Sequence, residues 1–207
     1  MESAQEVKKL SFADKMRKWF RWLLVPVAGF LNRLGLHPNT VTLIGLAGTI
    51  GTAVLIALGH MTWAGLLLLV MGPVDALDGV MARLRNEASD YGAFVDSVTD
   101  RYSELFLFLG FIIHYLLIND PIGIAFAYLA AAGSVLVSYV KARADASKLD
   151  ANIGLLTRVE RYIVIIPGLI FNLPLVAIII IAIFANFTAL QRIFRVRRDY
   201  YNRKSTS

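Results

Sequence analysis

DALDGVMARLRNEASDYGAFVDSVTDR, from Asp75 to Arg101, places five aspartates, one glutamate and three arginines between two greasy segments. MTWAGLLLLVMG stands just before it and ELFLFLGFIIHYLL just after. Either this is a surface loop of a soluble domain, or it is a polar hairpin joining two membrane helices. The rest of the chain decides. Of 207 residues, 57% are hydrophobic and 17% charged, and the mean hydropathy is +0.61. A soluble domain would alternate polar and apolar faces, whereas this chain holds long unbroken apolar runs. Runs of roughly 20 such residues cross a bilayer core as helices. The expected class is an all-α, polytopic membrane protein.

Six spans can be drawn: Asn39–Leu58, Met61–Arg83, Ser89–Ile118, Ile122–Ala144, Ile153–Phe171 and Pro174–Gln191. The fifth crosses only if Arg158, Glu160 and Arg161 lie at the interface. All 21 Lys and Arg then fall on one side or in adjoining helix ends, and the opposite turns near Gly59, Asn119 and Asn172 contain none. The positive-inside rule places that side, and both termini, in the cytoplasm of a cell-membrane protein. Five or seven spans would destroy the segregation. The +6 net charge is thus a matter of topology and not of nucleic-acid binding.

Ahead of the first span, Phe12, Met16, Trp19, Phe20, Leu23 and Leu24 recur at helical intervals with Lys15, Arg17, Lys18 and Arg21 between them. That pattern suits an amphipathic helix lying in the headgroup layer. Nothing at the N-terminus resembles a cleaved signal peptide. The expected organisation is a tail and juxtamembrane helix over 1–37, a six-helix unit over 38–195 and a basic cytoplasmic tail over 196–207. The chain has no cysteine, which excludes disulfides and thiolate metal sites. His37, His60 and His114 show no ligand spacing and read as structural. Trp19, Trp22 and Trp63 suit interfacial anchoring. Gly45, Gly48 and Gly51 form a small-residue stripe for close helix packing or a subunit contact.

The charged stretch itself resolves into D-x2-D-G-x2-A-R-x8-G-x3-D-x3-D, with its fixed positions at Asp75, Asp78, Gly79, Ala82, Arg83, Gly92, Asp96 and Asp100. Residues three or four apart share a helix face. Asp75 and Asp78 therefore point together at the end of the second span, and Asp96 and Asp100 at the start of the third. The polar hairpin folds one pair toward the other. Four carboxylates in a partly dry pocket cannot all stay ionised unaided, and oxygen-only ligands favour Mg²⁺, Mn²⁺ or Ca²⁺ over zinc. Gly79 and Gly92 remove side chains where a ligand can approach, and Arg83 is a fork donor one turn beyond Gly79. Together these features read as diphosphate chemistry. The bland reading is that the acids only pair with Arg83, Arg85 and Arg101 at a wet surface. Against it, a carboxylate deep in a span costs about 2.5–3.5 kcal/mol on insertion scales. Glu87 and Asp90 lie in the polar loop and read as solvated.

With every fixed position filled, this motif resembles the signature of the CDP-alcohol phosphotransferases, and six spans with an N-terminal interfacial helix resemble that family's layout. The resemblance implies transfer of a phosphoalcohol from a CDP-linked donor to a second alcohol with release of CMP, in a homodimer whose site opens to the cytoplasm. It implies two Mg²⁺ or Mn²⁺ ions on Asp75, Asp78, Asp96 and Asp100, with Asp100 also the base for the acceptor hydroxyl. It implies donor contacts at Gly79, Arg83 and Ser89, and at Pro38, Asn39, Thr40 and Val41 of HPNTVT. SYVKARADASKL (138–149) and LLTRVERYIV (155–164) resemble the phosphatidylinositol-phosphate synthase branch. There the donor is CDP-diacylglycerol and the acceptor inositol 1-phosphate, held by a cationic pocket. The corresponding residues are Ser138, Lys141, Arg143, Arg161 and Arg192, while Arg158, Arg195, Arg197 and Arg198 divide evenly between that role and ordinary positive-inside residues. Glycerol 3-phosphate is the rival acceptor, and an archaetidyl lipid the rival donor. Two other classes use intramembrane acids. A divalent-cation transporter would string them along a path, and an aspartate-rich prenyltransferase lacks the D-G-x2-A-R core.

Overall fold

The computed structural model describes residues 12–206, and all the regular structure among them is helical. In chain order the helices are α1 (Phe12–Arg33), α2 (Pro38–Ala57), α3 (Met61–Val74), α4 (Leu77–Leu84), α5 (Asp90–Leu117), α6 (Pro121–Ala146), α7 (Arg158–Ile170) and α8 (Pro174–Thr206). Helix α2 packs between α3 and α5, α5 reaches α6, α6 runs along α8, and α7 closes the bundle between α3 and α8. The main core joins Leu68, Leu107, Phe108, Phe111, Ile165 and Ile181. A second cluster joins Leu24 and Ala28 of α1 to Val41, Leu77, Val80 and Met81. The side chains of Phe12, Met16, Trp19, Phe20, Leu23, Lys15, Arg17, Lys18 and Arg21 lie outside the described residues, as do Met1–Ser11 and Ser207.

Among the described residues, four helical segments have the length and apolarity to cross a membrane: Pro38–Ala57, Met61–Leu84, Pro121–Ala146 and Pro174–Lys204. Their outward faces are greasy, with Leu43, Val54, Trp63, Val70, Leu129 and Ile183 all exposed. Helix α5 has 28 residues, but Asp96, Asp100 and Arg101 occupy its first half and Glu104 its middle. Helix α7 has 13 residues, roughly 20 Å of helix against a hydrocarbon core of about 30 Å.

The turns expected to be free of lysine and arginine share one construction. Gly59, Asn119 and Asn172 have φ of 81°, 56° and 57°. After each, the next N–H bonds five residues back: His60 to Leu55 at 2.8 Å, Asp120 to Tyr115 at 2.9 Å, Leu173 to Gly168 at 2.7 Å. This left-handed cap satisfies carbonyls that a helix end leaves orphaned. The glycine stripe faces inward. A Cβ on Gly48 would run into Met71, and one on Gly51 would touch Leu67, so α3 occupies the stripe within the chain.

The sequence pattern departs from the structure at three places. The second span is not one helix: it breaks at Asp75 and Ala76, between α3 and α4. Pro73 lies in the last turn of α3, and a proline there removes a ladder N–H and crowds the preceding turn. The fifth helix begins at Arg158 and not at Ile153, because Glu160 reaches back to the backbone N–H of Thr157 and closes the helix start there. The segment before it, 147–157, is tied instead to α8: Leu155 and Leu156 donate to Thr188 Oγ1, both at 3.3 Å, and Arg192 donates to the Ile153 carbonyl at 2.9 Å. Finally, the stretch expected as a separate tail continues α8 as helix to Thr206. There Arg195 holds the Asp150 carboxylate at 2.7 Å, Asp199 accepts from the Asp150 N–H at 2.9 Å, and Arg203 donates to the Lys148 carbonyl at 2.6 Å.

Candidate active site

The break in the second span is the first part of the site. Asp75 caps the end of α3 and Asp78 sits in the first turn of α4, so the two acids straddle the break and do not ride one continuous face. Asp75 leans against α2 where Gly45 has no side chain; a Cβ there would run into its carboxylate. Asp78 is buried, at 6% exposure. Its Oδ1 accepts from the Gly79 N–H at 2.5 Å, and its Oδ2 lies 2.6 Å from Thr42 Oγ1. The same hydroxyl lies 3.2 Å from the Pro38 carbonyl, and its single proton goes to the closer, charged acceptor. Thr42, the last residue of HPNTVT, thus fixes the rotamer of Asp78 from the second turn of α2.

Asp96 and Asp100 lie one turn apart on α5, both half-buried, and the four carboxylates are near enough to repel one another. The acids approach one another, but from three helices where the spacing predicted two: the end of α3, the first turn of α4 and α5. What sequence reasoning missed is the cation among them. Arg158, the first residue of α7, donates from Nη2 to Asp75 Oδ2 at 2.6 Å and pairs through Nη1 with Asp100 Oδ1. It also lies over the Tyr162 ring, 5.5 Å from the centroid, with the Tyr162 hydroxyl 3.3 Å from Nη2. One signal was available: a cation at the start of a helix opposes the macrodipole, and such a misplacement calls for a partner.

Around this centre, Arg83 folds back over Gly79, its Nη1 3.5 Å from where a Cβ would stand. Arg85 pins α4 to α1 through Asn32 Oδ1 at 2.7 Å and the Leu36 carbonyl at 2.6 Å. Ser89 caps α5, accepting from the Gly92 N–H at 3.1 Å. Pro38 opens α2 and is buried, Asn39 and Thr40 are exposed, and Val41 points into the cluster beneath α4.

The residues expected to form the acceptor pocket are only partly assembled. Lys141 reaches Asn152 Oδ1 at 2.9 Å and Asp145 at 3.3 Å; Ser138 is half-buried and Arg143 exposed. Arg161 is 2% exposed. It pairs with Glu104 through Nε and Nη2 and donates from Nη1 to the Leu156 carbonyl. Arg192 is spoken for by the Val137 carbonyl at 2.5 Å and the Ile153 carbonyl at 2.9 Å. Arg161 and Arg192 are close enough to repel. Outside the spans, the N–H of Asn152 and the Arg195 guanidinium hold the Asp150 carboxyl below the usual carboxylate range.

The chemistry of this donor set fits a divalent ion. Its candidate ligands are all carboxylate oxygens, its acids converge from α3, α4 and α5, and a guanidinium already lodges between two of them. Among the described residues, however, no three acids stand close enough to form a finished ligand set, and Arg158 bridges Asp75 and Asp100.

Comparison with known proteins bears on what such a site serves. The family model for CDP-alcohol phosphatidyltransferase matches residues 35–191. The phosphatidylinositol phosphate synthase of Mycobacteroides abscessus is 35% identical over 190 residues, covering 87% of this chain and 86% of the relative. The archaetidylinositol phosphate synthase of Pyrococcus horikoshii is 31% identical, covering 89% and 96%. Among solved structures, the Mycobacterium tuberculosis phosphatidylinositol phosphate synthase with CDP-DAG bound superposes with a TM-score of 0.76 at 28% identity, covering 84% of this chain and 92% of that one. A second structure of that protein, in complex with manganese and citrate, gives 0.77 with 84% and 88% covered, also at 28% identity. With its D-x2-D-G-x2-A-R motif inside the matched segment, the chain belongs to the CDP-alcohol phosphatidyltransferase family.

Proposed function

We propose that this protein moves the phosphatidyl group of CDP-diacylglycerol onto inositol 1-phosphate, giving phosphatidylinositol phosphate and CMP. The observation that carries the reading is the meeting of Asp75, Asp78, Asp96 and Asp100 at one end of the bundle with Arg83 folded over Gly79, in a chain whose relatives include phosphatidylinositol phosphate synthases. Asp75, Asp78, Asp96 and Asp100 would hold Mg²⁺ or Mn²⁺, two ions in all, and the ions would neutralise the negative charge that develops on CMP as the diphosphate bond breaks. The chain's own groups do the rest. Thr42 fixes the Asp78 carboxylate. Arg83 offers a planar fork to diphosphate oxygens. Gly79 leaves the helix backbone open to the nucleotide, flanked by Ser89, Pro38, Asn39, Thr40 and Val41. Asp100 takes the proton of the attacking hydroxyl as general base.

The phosphate of the acceptor is met by Ser138, Lys141 and Arg143. Arg161 and Arg192, whose donors are already engaged, add positive charge from below. The six spans are α2, α3 with α4 as one broken span, α5, α6, α7 together with the residues flanking it, and α8, while α1 lies along the cytoplasmic interface. Both termini and the site face the cytoplasm, and the protein works as a homodimer. The acids gather at one end of the bundle instead of marking a path through it, which disfavours a cation transporter.

The deciding experiment measures CMP release from CDP-diacylglycerol by the purified protein with Mg²⁺ or Mn²⁺, across inositol 1-phosphate, free inositol, glycerol 3-phosphate and serine. Release with inositol 1-phosphate alone is expected. Release with glycerol 3-phosphate alone overturns the acceptor, and no release with any acceptor overturns the transferase reading. The same panel with a CDP-archaeol donor tests the lipid, since the Pyrococcus relative is named for an archaetidyl product.

A further inference from the structure

Arg158 and Arg161 stand three residues apart on α7, yet they are held in opposite ways. Arg161 engages all three of its nitrogens within a buried pocket. Arg158 bridges Asp75 of the α3–α4 break and Asp100 of α5, while its Nε is buried with no hydrogen-bond partner. A guanidinium placed for structure alone ends with its buried donors paired, because each orphan costs about 1–3 kcal/mol. Arg158 also sits at the first position of its helix, where the macrodipole repels a cation. The carboxylates of Asp75 and Asp100, its two ion-pair partners, offset that repulsion. A further resting place is close at hand in the Tyr162 ring and hydroxyl, so leaving the acids does not strand the charge.

We infer that Arg158 is the resident counter-cation of the acid cluster, and that a divalent ion must displace its guanidinium from Asp75 and Asp100 to load the site. The two cations exclude each other: each neutralises the same pair of carboxylates, and both cannot occupy the space between them. Loading therefore releases the start of α7 from α3 and α5. The inference rests on the reading that these aspartates hold a divalent ion.

The test follows Mn²⁺ binding by the full chain in detergent, read from the free-Mn²⁺ paramagnetic resonance signal, for the wild type, Arg158→Gln and Arg158→Lys. Thermal unfolding is recorded in chelator and in saturating Mn²⁺. Arg158→Gln should bind Mn²⁺ about tenfold more tightly, or about 1.4 kcal/mol. Its melting temperature should fall in chelator and return toward the wild type with Mn²⁺. Arg158→Lys, whose point charge cannot fork across both acids, should fall between. Binding by the glutamine variant no tighter than wild type overturns the inference while leaving the metal reading intact. So does a melting deficit equally large with and without Mn²⁺. Should the glutamine variant fail to fold, the lysine variant decides: tighter binding supports the inference, and equal or weaker binding overturns it. If the wild type binds no Mn²⁺, the metal reading falls and this inference falls with it.

Discussion

Two charged regions lie one helical turn apart where α5 meets α7. Asp100 and Arg158 lie in the half-open cluster with three further aspartates. Glu104 and Arg161, the next turn inward on each helix, form a pair that is 5% and 2% exposed at the side chains. The same chemistry, carboxylate and guanidinium, has been put to different ends. Inside, one acid meets one base and every donor is used. Outside, Arg158 bridges two of four acids and Arg101 comes within 3.9 Å of Asp100, so the carboxylates outnumber the guanidiniums that meet them. A balanced pair holds helices together, whereas an unbalanced one attracts a ligand.

Substitutions can break this contrast. Asp100→Asn should lower the rate of CMP release by about 10²–10⁴-fold, the usual contribution of a general base, while sparing most CDP-lipid binding and leaving the melting temperature near wild type. Turnover like the wild type would remove Asp100 from the mechanism. The inner pair should respond in the other currency. Arg161→Leu leaves Glu104 buried and alone, and should cost about 3–5 kcal/mol of stability, measured by thermal or denaturant unfolding in detergent. Replacing Glu104 with leucine as well should recover much of that loss. If the double variant folds normally but its KM for inositol 1-phosphate rises sharply, Arg161 serves the acceptor as well as the fold.

Smaller changes sharpen the outer region. Thr42→Val removes a hydrogen bond to a charged acceptor, worth about 1.5–3 kcal/mol, and should weaken Mn²⁺ binding accordingly; Thr42→Ser should restore it. Gly45→Ala puts a methyl group against the Asp75 carboxylate. Because that group can rotate aside, the loss of Mn²⁺ affinity should sit near the low end for overpacking, about 1 kcal/mol. No change in either variant would mean that α2 does not position the acids.

Much of this was legible in the sequence, and the physical reasons are uneven. Helix positions followed from apolar runs bounded by Gly59, Asn119 and Asn172, since left-handed caps use those residue types. The meeting of Asp75, Asp78, Asp96 and Asp100 followed from helical spacing and a short hairpin. The break at Asp75 was missed because the run from Met61 reads as continuous by hydropathy, although Pro73 marks it. Arg158 was missed because a basic residue near a membrane end has an ordinary explanation, and only the third dimension shows which acids it meets. Thr42 was overlooked for a similar reason: its bond to Asp78 joins residues 36 apart. The acceptor residues were the least legible. Lys141 and Arg161 were named from the resemblance of SYVKAR and RVER to a family pattern, and a pattern does not reveal that Glu104 already holds one of them.

The far end of α8 is tied to the stretch that leads into the candidate site. Arg192, Arg195, Asp199 and Arg203 all lie beyond Gln191, where the family match stops, yet they rein in the stretch that delivers Arg158 to α7. A chain trimmed to the matched segment would keep each apolar helix and let that stretch go slack. Family boundaries drawn from shared motifs can thus cut away the ropes while sparing the mast.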